Sequence, residues 1–513
     1  MLWIVAWALA ASPIGVRAAP ADEAENLFAA HCAVCHGADR GGYIGPALNR
    51  DSLVRLSEFQ IAAKAITGGV GTLMPPHPTF FGKLSKDEIN RIAAFVRNAP
   101  KADARWSLAD IKGSLRVDVA DEAVLPARPI YGIADIDDLM AVMGRGRYAA
   151  GKDAKIVFFD GRTHRRLGEI ETGFAPHVLV YHPVLDRWAY AVNDTGDLFK
   201  IDLYSLRAVR RIRVGLNGAS LAVSRDGRFV AAGSFVPNSA VILDAMTLAP
   251  VKYLSLRTQD ADGRVVESDC GGIVAARFAD IFAIVLEQAG EVWTVDLADP
   301  DLAVTRIPGV GRHLHDAFVS PNGRHIAVAS YDDDVLAIID LKSKQVIKRI
   351  PAGRQPHVGS GAVIEVGGRK LGVGTNIGVS AKGENFVTVF DMETFEVVKQ
   401  IPVLGPTESP AAHPKAPHIV VDIVGRGPTA SNIQLIDKQT LEVVRTIDVG
   451  GHSYFPEYTA RGDYLYVSAG YAGDRLVVYR AGSMEKVETH AIEAPAGIFS
   501  RSRARAGVGL QRE

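Results

Sequence analysis

The sequence predicts a small all-α domain followed by an all-β eight-bladed propeller. Three observations carry this. A Cys-x-x-Cys-His motif stands at Cys32–His36 between two helical patterns. A strand–Asp–turn–strand unit then recurs eight times. The unit steps by 42, 42, 52, 44, 51, 46 and 43 residues, the period of a four-stranded blade. Bulk properties agree. A chain of 513 residues suits a small module plus one large one, and 48% hydrophobic with 22% charged residues describes a globular protein. The net charge of −1 offers no basic excess for nucleic acid.

Residues 1–19 read as a secretory signal peptide, with an apolar core from Met1 to Ala11 and small residues around Val16-Arg17-Ala18. No later segment is long and apolar enough to span a bilayer, so the mature chain is expected in the periplasm without a membrane span. Of three cysteines, Cys32 and Cys35 belong to the motif and Cys270 is expected to be a buried small residue.

Residues 20–103 read as a cytochrome c domain. Two thiols spaced by two residues bind one edge of a covalent haem, and the next residue, His36, reaches its iron. The run Asp22 to Ala30 is helical, with Leu27 and Phe28 on one face. Ser85 and Glu88 form a capping box that opens a helix through Ala99. The second axial ligand is expected at Met74, in the proline-stiffened Thr72-Leu73-Met74-Pro75-Pro76, with His77 as competitor. One His/Met haem with no open position transfers single electrons. Residues 104–130 then form a linker.

From 131 to 513 the repeat takes over, with copies ending at Asp160, Asp202, Asp244, Asp296, Asp340, Asp391, Asp437 and, without the Asp, Arg480. The run near 490–500 and residues 131–150 are expected to share the closing blade. Fifteen to nineteen residues after the repeated Asp stand His177, Asn217, His315, His357, Glu408 and His452. Four His among six, in a chain with 14, predict a shared site on one rim. His182, His325, His413 and His418 fall outside the pattern and are expected to be structural. Imidazoles converging beside a covalent haem suit a second iron tetrapyrrole. Its carboxylates would need Arg partners, for which Arg147 is preferred over Arg145, Arg225, Arg312 and Arg354.

This layout resembles the cytochrome cd1 family over nearly the whole mature chain. Thr172 to His177 resembles the segment holding the proximal haem d1 ligand, which implies that His177 binds the haem d1 iron. Leu314-His315-Asp316 and Gln355-Pro356-His357 resemble the segments carrying the distal histidines of the nitrite reductases. Two departures stand out: Ala317-Phe318 follows His-Asp, and Val358-Gly359-Ser360-Gly361 follows His357. The segment Gly451-His452-Ser453-Tyr454-Phe455 and the tail from Ala494 are similar instead to the dihydro-haem d1 dehydrogenases of haem d1 biosynthesis. That resemblance implies conversion of dihydro-haem d1 to haem d1. His452 would serve as distal ligand or base, Tyr454 would assist, and electrons would leave through the covalent haem to a soluble c-type cytochrome or similar acceptor. It also implies the nitrite reductase as recipient of the haem d1. The alternatives are a nitrite reductase with permanently bound haem d1, or a non-catalytic haem d1 carrier that transfers electrons. A quinoprotein dehydrogenase is disfavoured because its Trp docking repeats are missing, with five Trp in all.

Overall fold

The computed structural model describes residues 20–37, 40, 48, 53, 57–67, 84–98, 106–146, 154–173, 175–259, 263–378, 384–424, 428–469 and 473–506. Met74, His77 and Arg147 lie outside the described residues. So does the signal-peptide segment.

The N-terminal part is helical, with helices at Pro20–His31, Ala33–His36, Glu58–Thr67 and Lys86–Asn98. The first and last touch, with Phe28 and Phe95 rings 5.9 Å apart. The capping box forms as expected: Ser85 N donates to Glu88 Oε2 at 2.6 Å, and Glu88 N donates to Ser85 Oγ at 3.2 Å. Ile89, Ile92, Ala93 and Val96 return at helical spacing and bury one face against Phe28, Leu53 and Ile61.

The remainder is a ring of eight four-stranded antiparallel sheets. Their inner strands, in blade order, are Pro495–Ser500, Pro176–Tyr181, Asn217–Val223, Cys270–Ala275, Leu314–Val319, Pro356–Val366, Pro410–Ala411 and Tyr454–Tyr458. Each touches the next around the axis. The C-terminal strand Pro495–Ser500 pairs with Leu139–Gly144, so both ends of the propeller share blade 1 as expected. Cys270 is fully buried. The 52-residue step has a local cause: a hairpin of Arg257–Gln259 and Val265–Glu267 is inserted before blade 4.

Burial follows position in the blade. Third strands such as Val335–Asp340 are packed on both faces and read as unbroken apolar runs, whereas the outer strand Gln345–Pro351 alternates. The repeated Asp has a turn function. Asp244, Asp391 and Asp437 each accept the backbone N–H groups two and three residues on, at 2.8–3.1 Å. Four residues after each Asp the chain turns left-handed, at Leu248, Phe395 and Leu441 with φ of 58°, 56° and 55°. The extra residue shifts the register of the hairpin, as in a bulged turn. Blade 8 makes the same left-handed turn at Met484 without the Asp.

The expected linker is packed onto blade 2. Trp106 Nε1 donates to Arg213 O at 3.0 Å, and Arg116–Val117 adds a fifth strand. Glu122 takes the buried Lys200 ammonium at 2.9 Å. His182 and His413 are structural as expected: each contacts a neighbouring turn carbonyl, Gly227 O or Ala460 O, at 3.1 Å.

The Asp391 turn is testable. The Thr394 and Glu393 N–H groups and the Arg369 guanidinium outweigh burial and hold the Asp391 carboxyl down at about 2. A depressed folded-state value means the contribution is present above the unfolded value near 4 and is lost as pH falls toward 2. Asp391→Ala is expected to cost about 1–2 kcal/mol at pH 7. The difference in urea midpoint from wild type should shrink between pH 4 and 2. An equal midpoint at pH 7 counts against this role.

Candidate tetrapyrrole site

All inner strands begin at the same end of the ring, because each blade runs inner to outer. His177, His315 and His357 are each the second residue of an inner strand. Asn217 is the first of another, and Glu408 and His452 precede theirs by two residues. The connections that follow the second strands reach this end too, and they supply Arg145, Asp194, Glu287 and Tyr331.

His177 is partly exposed, and its Nδ1 lies 3.2 Å from Asp194 Oδ1. The other Asp194 oxygen takes the Arg145 guanidinium, which is 7% exposed. Asn193 locks this corner: its Nδ2 donates to Thr172 O, and its Oδ1 accepts Asp197 N. An Nδ1–H held by a carboxylate fixes the tautomer and leaves Nε2 with its lone pair, as an iron ligand requires.

Blades 5 and 6 stand across the ring from blade 2. There the His315 and His357 rings are 5.5 Å apart. His315 Nδ1 lies 3.1 Å from Glu287 Oε1, and its ring packs 4.7 Å from Tyr331. Asp316 is fully buried, accepts Val358 N at 2.6 Å and Gly359 N, and approaches His357 Nδ1 at 3.4 Å. Burial alone would depress His357, but the charges of Asp316, Glu408 and Asp422 outweigh it and raise it above the ordinary value.

Blades 7 and 8 add a second acidic group. Tyr454 is buried and its hydroxyl donates to Glu408 Oε1 at 2.6 Å. Asp422 accepts Glu408 N, Ser409 N and Phe455 N, each at 2.9 Å. Burial and the Glu408 charge push Asp422 up to about 7. His452 is exposed at this end.

The structure thus brings His315 and His357 together, sets His177 across the ring with its own acid, and leaves His452 on the rim. Of the other Arg candidates, Arg225 lies at the opposite end of its inner strand beside Asp280, Arg312 is exposed and paired with Asp333, and Arg354 is exposed. Sequence reasoning missed Asp194, Glu287, Asp316 and Asp422. The position just after each second strand recurs as the His offset does, and reading it would have found Asp194 and Glu287 and favoured Arg145 among the Arg candidates.

The two tetrapyrrole sites fit the residues present. A lone-pair Nε2 on blade 2 and a pair of imidazoles on blades 5 and 6 across the ring, with a buried Arg beside the first, suit an iron macrocycle with carboxylates. In the helical domain Cys32 packs on the apolar cluster, His36 is buried, and His36 N donates to Cys32 O at 3.0 Å, which suits a covalent haem.

Known proteins share this plan. A family model described as Cytochrome D1 heme domain matches residues 134–504, and one described as Cytochrome C oxidase, cbb3-type, subunit III matches residues 19–96. The dihydro-heme d1 dehydrogenase of Pseudomonas aeruginosa is 30% identical over 481 residues, 93% of each chain. Protein NirF of the same organism is 27% identical over 375 residues, 70% of this chain and 91% of that one. A solved structure of dihydro-heme d1 dehydrogenase NirN in complex with DHE superposes with a TM-score of 0.76 at 29% identity, covering 94% of this chain and all of that one.

Asp194→Asn is expected to keep the fold but weaken the hold on the His177 tautomer, lowering affinity for an iron tetrapyrrole about 10- to 100-fold. A spectrophotometric titration reads this directly. Undiminished affinity would show that Asp194 serves Arg145 alone.

Proposed function

The chain belongs to the cytochrome d1 haem domain family, and from that premise we propose that it is an oxidoreductase converting dihydro-haem d1 to haem d1. The observation that carries this is the span of the match. A dehydrogenase aligns over 93% of both chains, cytochrome part included, with the two-part architecture kept in the solved relative.

The reaction turns a propionate side chain into an acrylate. Two C–H bonds break, one C=C forms, and two protons and two electrons leave. Cys32, Cys35, His36 and Met74 would hold a covalent haem, which would supply a one-electron outlet, used twice per product, to a soluble c-type cytochrome or similar acceptor. His177 Nε2 holds the substrate iron. His315 and His357 face it from across the ring, and Arg147 serves a substrate carboxylate. His452, exposed on the rim, is the base that takes a proton from the substrate side chain. Tyr454 acts through its hydrogen bond to Glu408. Residues 20–103 form the electron-transfer domain, 104–130 the linker and 131–513 the substrate-binding domain. Among the described residues no helix is long and apolar enough to cross a membrane. Work in the periplasm, with haem d1 passed to the nitrite reductase, fits the sequence pattern of residues 1–19 and the family.

The test uses the haem c-loaded protein, dihydro-haem d1 and an electron acceptor. The expected result is spectral conversion followed by release of haem d1. Tight retention with nitrite-dependent turnover would identify a nitrite reductase instead. His452→Ala is expected to abolish conversion while leaving the haem c spectrum intact, and unchanged conversion removes His452 from the chemistry.

A further inference from the structure

Two C–H bonds break in the proposed reaction, so two protons must be taken up, and His452 accounts for one. Building on that reading, we propose that Glu408 is the second: a base on the rim that takes the other proton from the substrate side chain, with Tyr454 and His357 as its positioning partners.

The geometry is that of a held base. Glu408 is the exposed member of an otherwise buried polar cluster. Its side chain is 23% exposed, against 10% for His357 and 7% for Tyr454, and Asp422 is fully buried. Oε1 accepts the Tyr454 hydroxyl at 2.6 Å and lies 3.9 Å from His357 Nε2. One hydroxyl donor on Oε1, with the His357 imidazole nearby, orients the carboxylate and leaves Oε2 with no partner among the described residues. The backbone is held as firmly. The buried Asp422 carboxylate accepts Glu408 N and Ser409 N from one strand entry and Phe455 N from the next. That clamp sets Glu408 of blade 7 against Tyr454 of blade 8.

The position is also the right one. Glu408 occupies in blade 7 the offset that His177, His315 and His357 occupy in theirs, so it reaches the same end of the ring. A neutral buried tyrosine that donates its hydroxyl to a carboxylate is a poor base by itself. The carboxylate it serves is the better one.

The balance closes. The two broken C–H bonds hold four electrons. Two form the new π bond, and two leave singly to an oxidised c-type cytochrome. One proton goes to His452 and one to Glu408, which becomes a carboxylic acid and later loses its proton to water.

The test compares wild type with Glu408→Gln, Glu408→Asp and Tyr454→Phe, all carrying haem c. The Gln amide oxygen keeps the Tyr454 hydrogen bond but cannot take up a proton. Conversion by Glu408→Gln is expected to fall at least about 100-fold, the range of a general base. The dihydro-haem d1 binding spectrum and dissociation constant should stay within about threefold, since a base contributes to the transition state and not to ground-state binding. Glu408→Asp should recover part of the rate and Tyr454→Phe should lose less than Glu408→Gln. Infrared difference spectra after one oxidising turnover should show a new protonated-carboxyl band in wild type and none in Glu408→Gln. Equal rates in wild type and Glu408→Gln, or a loss of rate matched by a loss of binding, overturn the assignment of Glu408 alone. A wild type that binds dihydro-haem d1 and never converts it overturns the dehydrogenase reading, and this proposal with it.

Discussion

The pairing of Pro495–Ser500 with Leu139–Gly144 is the constraint on which the rest of the propeller depends. A blade alone cannot bury both faces, and an open ring would leave blades 1 and 8 with bare apolar faces. One strand from the C-terminus closes the circle. The seam is reinforced on both sides: Tyr181 Oη donates to Phe499 O at 2.9 Å, and Arg501, 1% exposed, binds Asp137 and Asp186. Closure also decides function, since it brings the starts of the inner strands to a common rim and sets blade 2 across from blade 6.

On that rim His177, His315 and His357 each carry a carboxylate partner, and the partner comes from a different part of the chain each time. Asp194 holds His177 within blade 2, Glu287 of blade 4 holds His315 of blade 5, and Asp316 of blade 5 supports the strand that bears His357. Such second partners fix which ring nitrogen is available and how the ring is turned. The cost is a concentration of negative charge in a partly dry place, visible in the raised Asp422 and in the raised His357 beside it.

Much of the fold was legible in the sequence because it rests on local signals repeated many times. Each Asp that ends a third strand makes its own turn with the next few N–H groups, so the period survives in the chain as written. Its uneven steps were legible as numbers but not as causes. The 52-residue step comes from a small inserted hairpin, and blade 8 makes its turn without the Asp. Residues 104–130 were read only as a linker between the two domains. Its packing on blade 2 depends on Lys200, Arg211 and Arg213, about a hundred residues away.

The sequence by itself determined the Cys-x-x-Cys-His attachment, the helix caps, the number of blades and the shared offset of His177, His315, His357 and His452. These are short-range patterns, set by spacing along one strand or one turn. Only the tertiary structure decided which imidazoles touch, that His177 stands opposite the His315–His357 pair, and that Tyr454 is committed to Glu408. Those relations join residues tens to hundreds of positions apart, and they exist only once the ring has closed. No spacing rule along the chain encodes them.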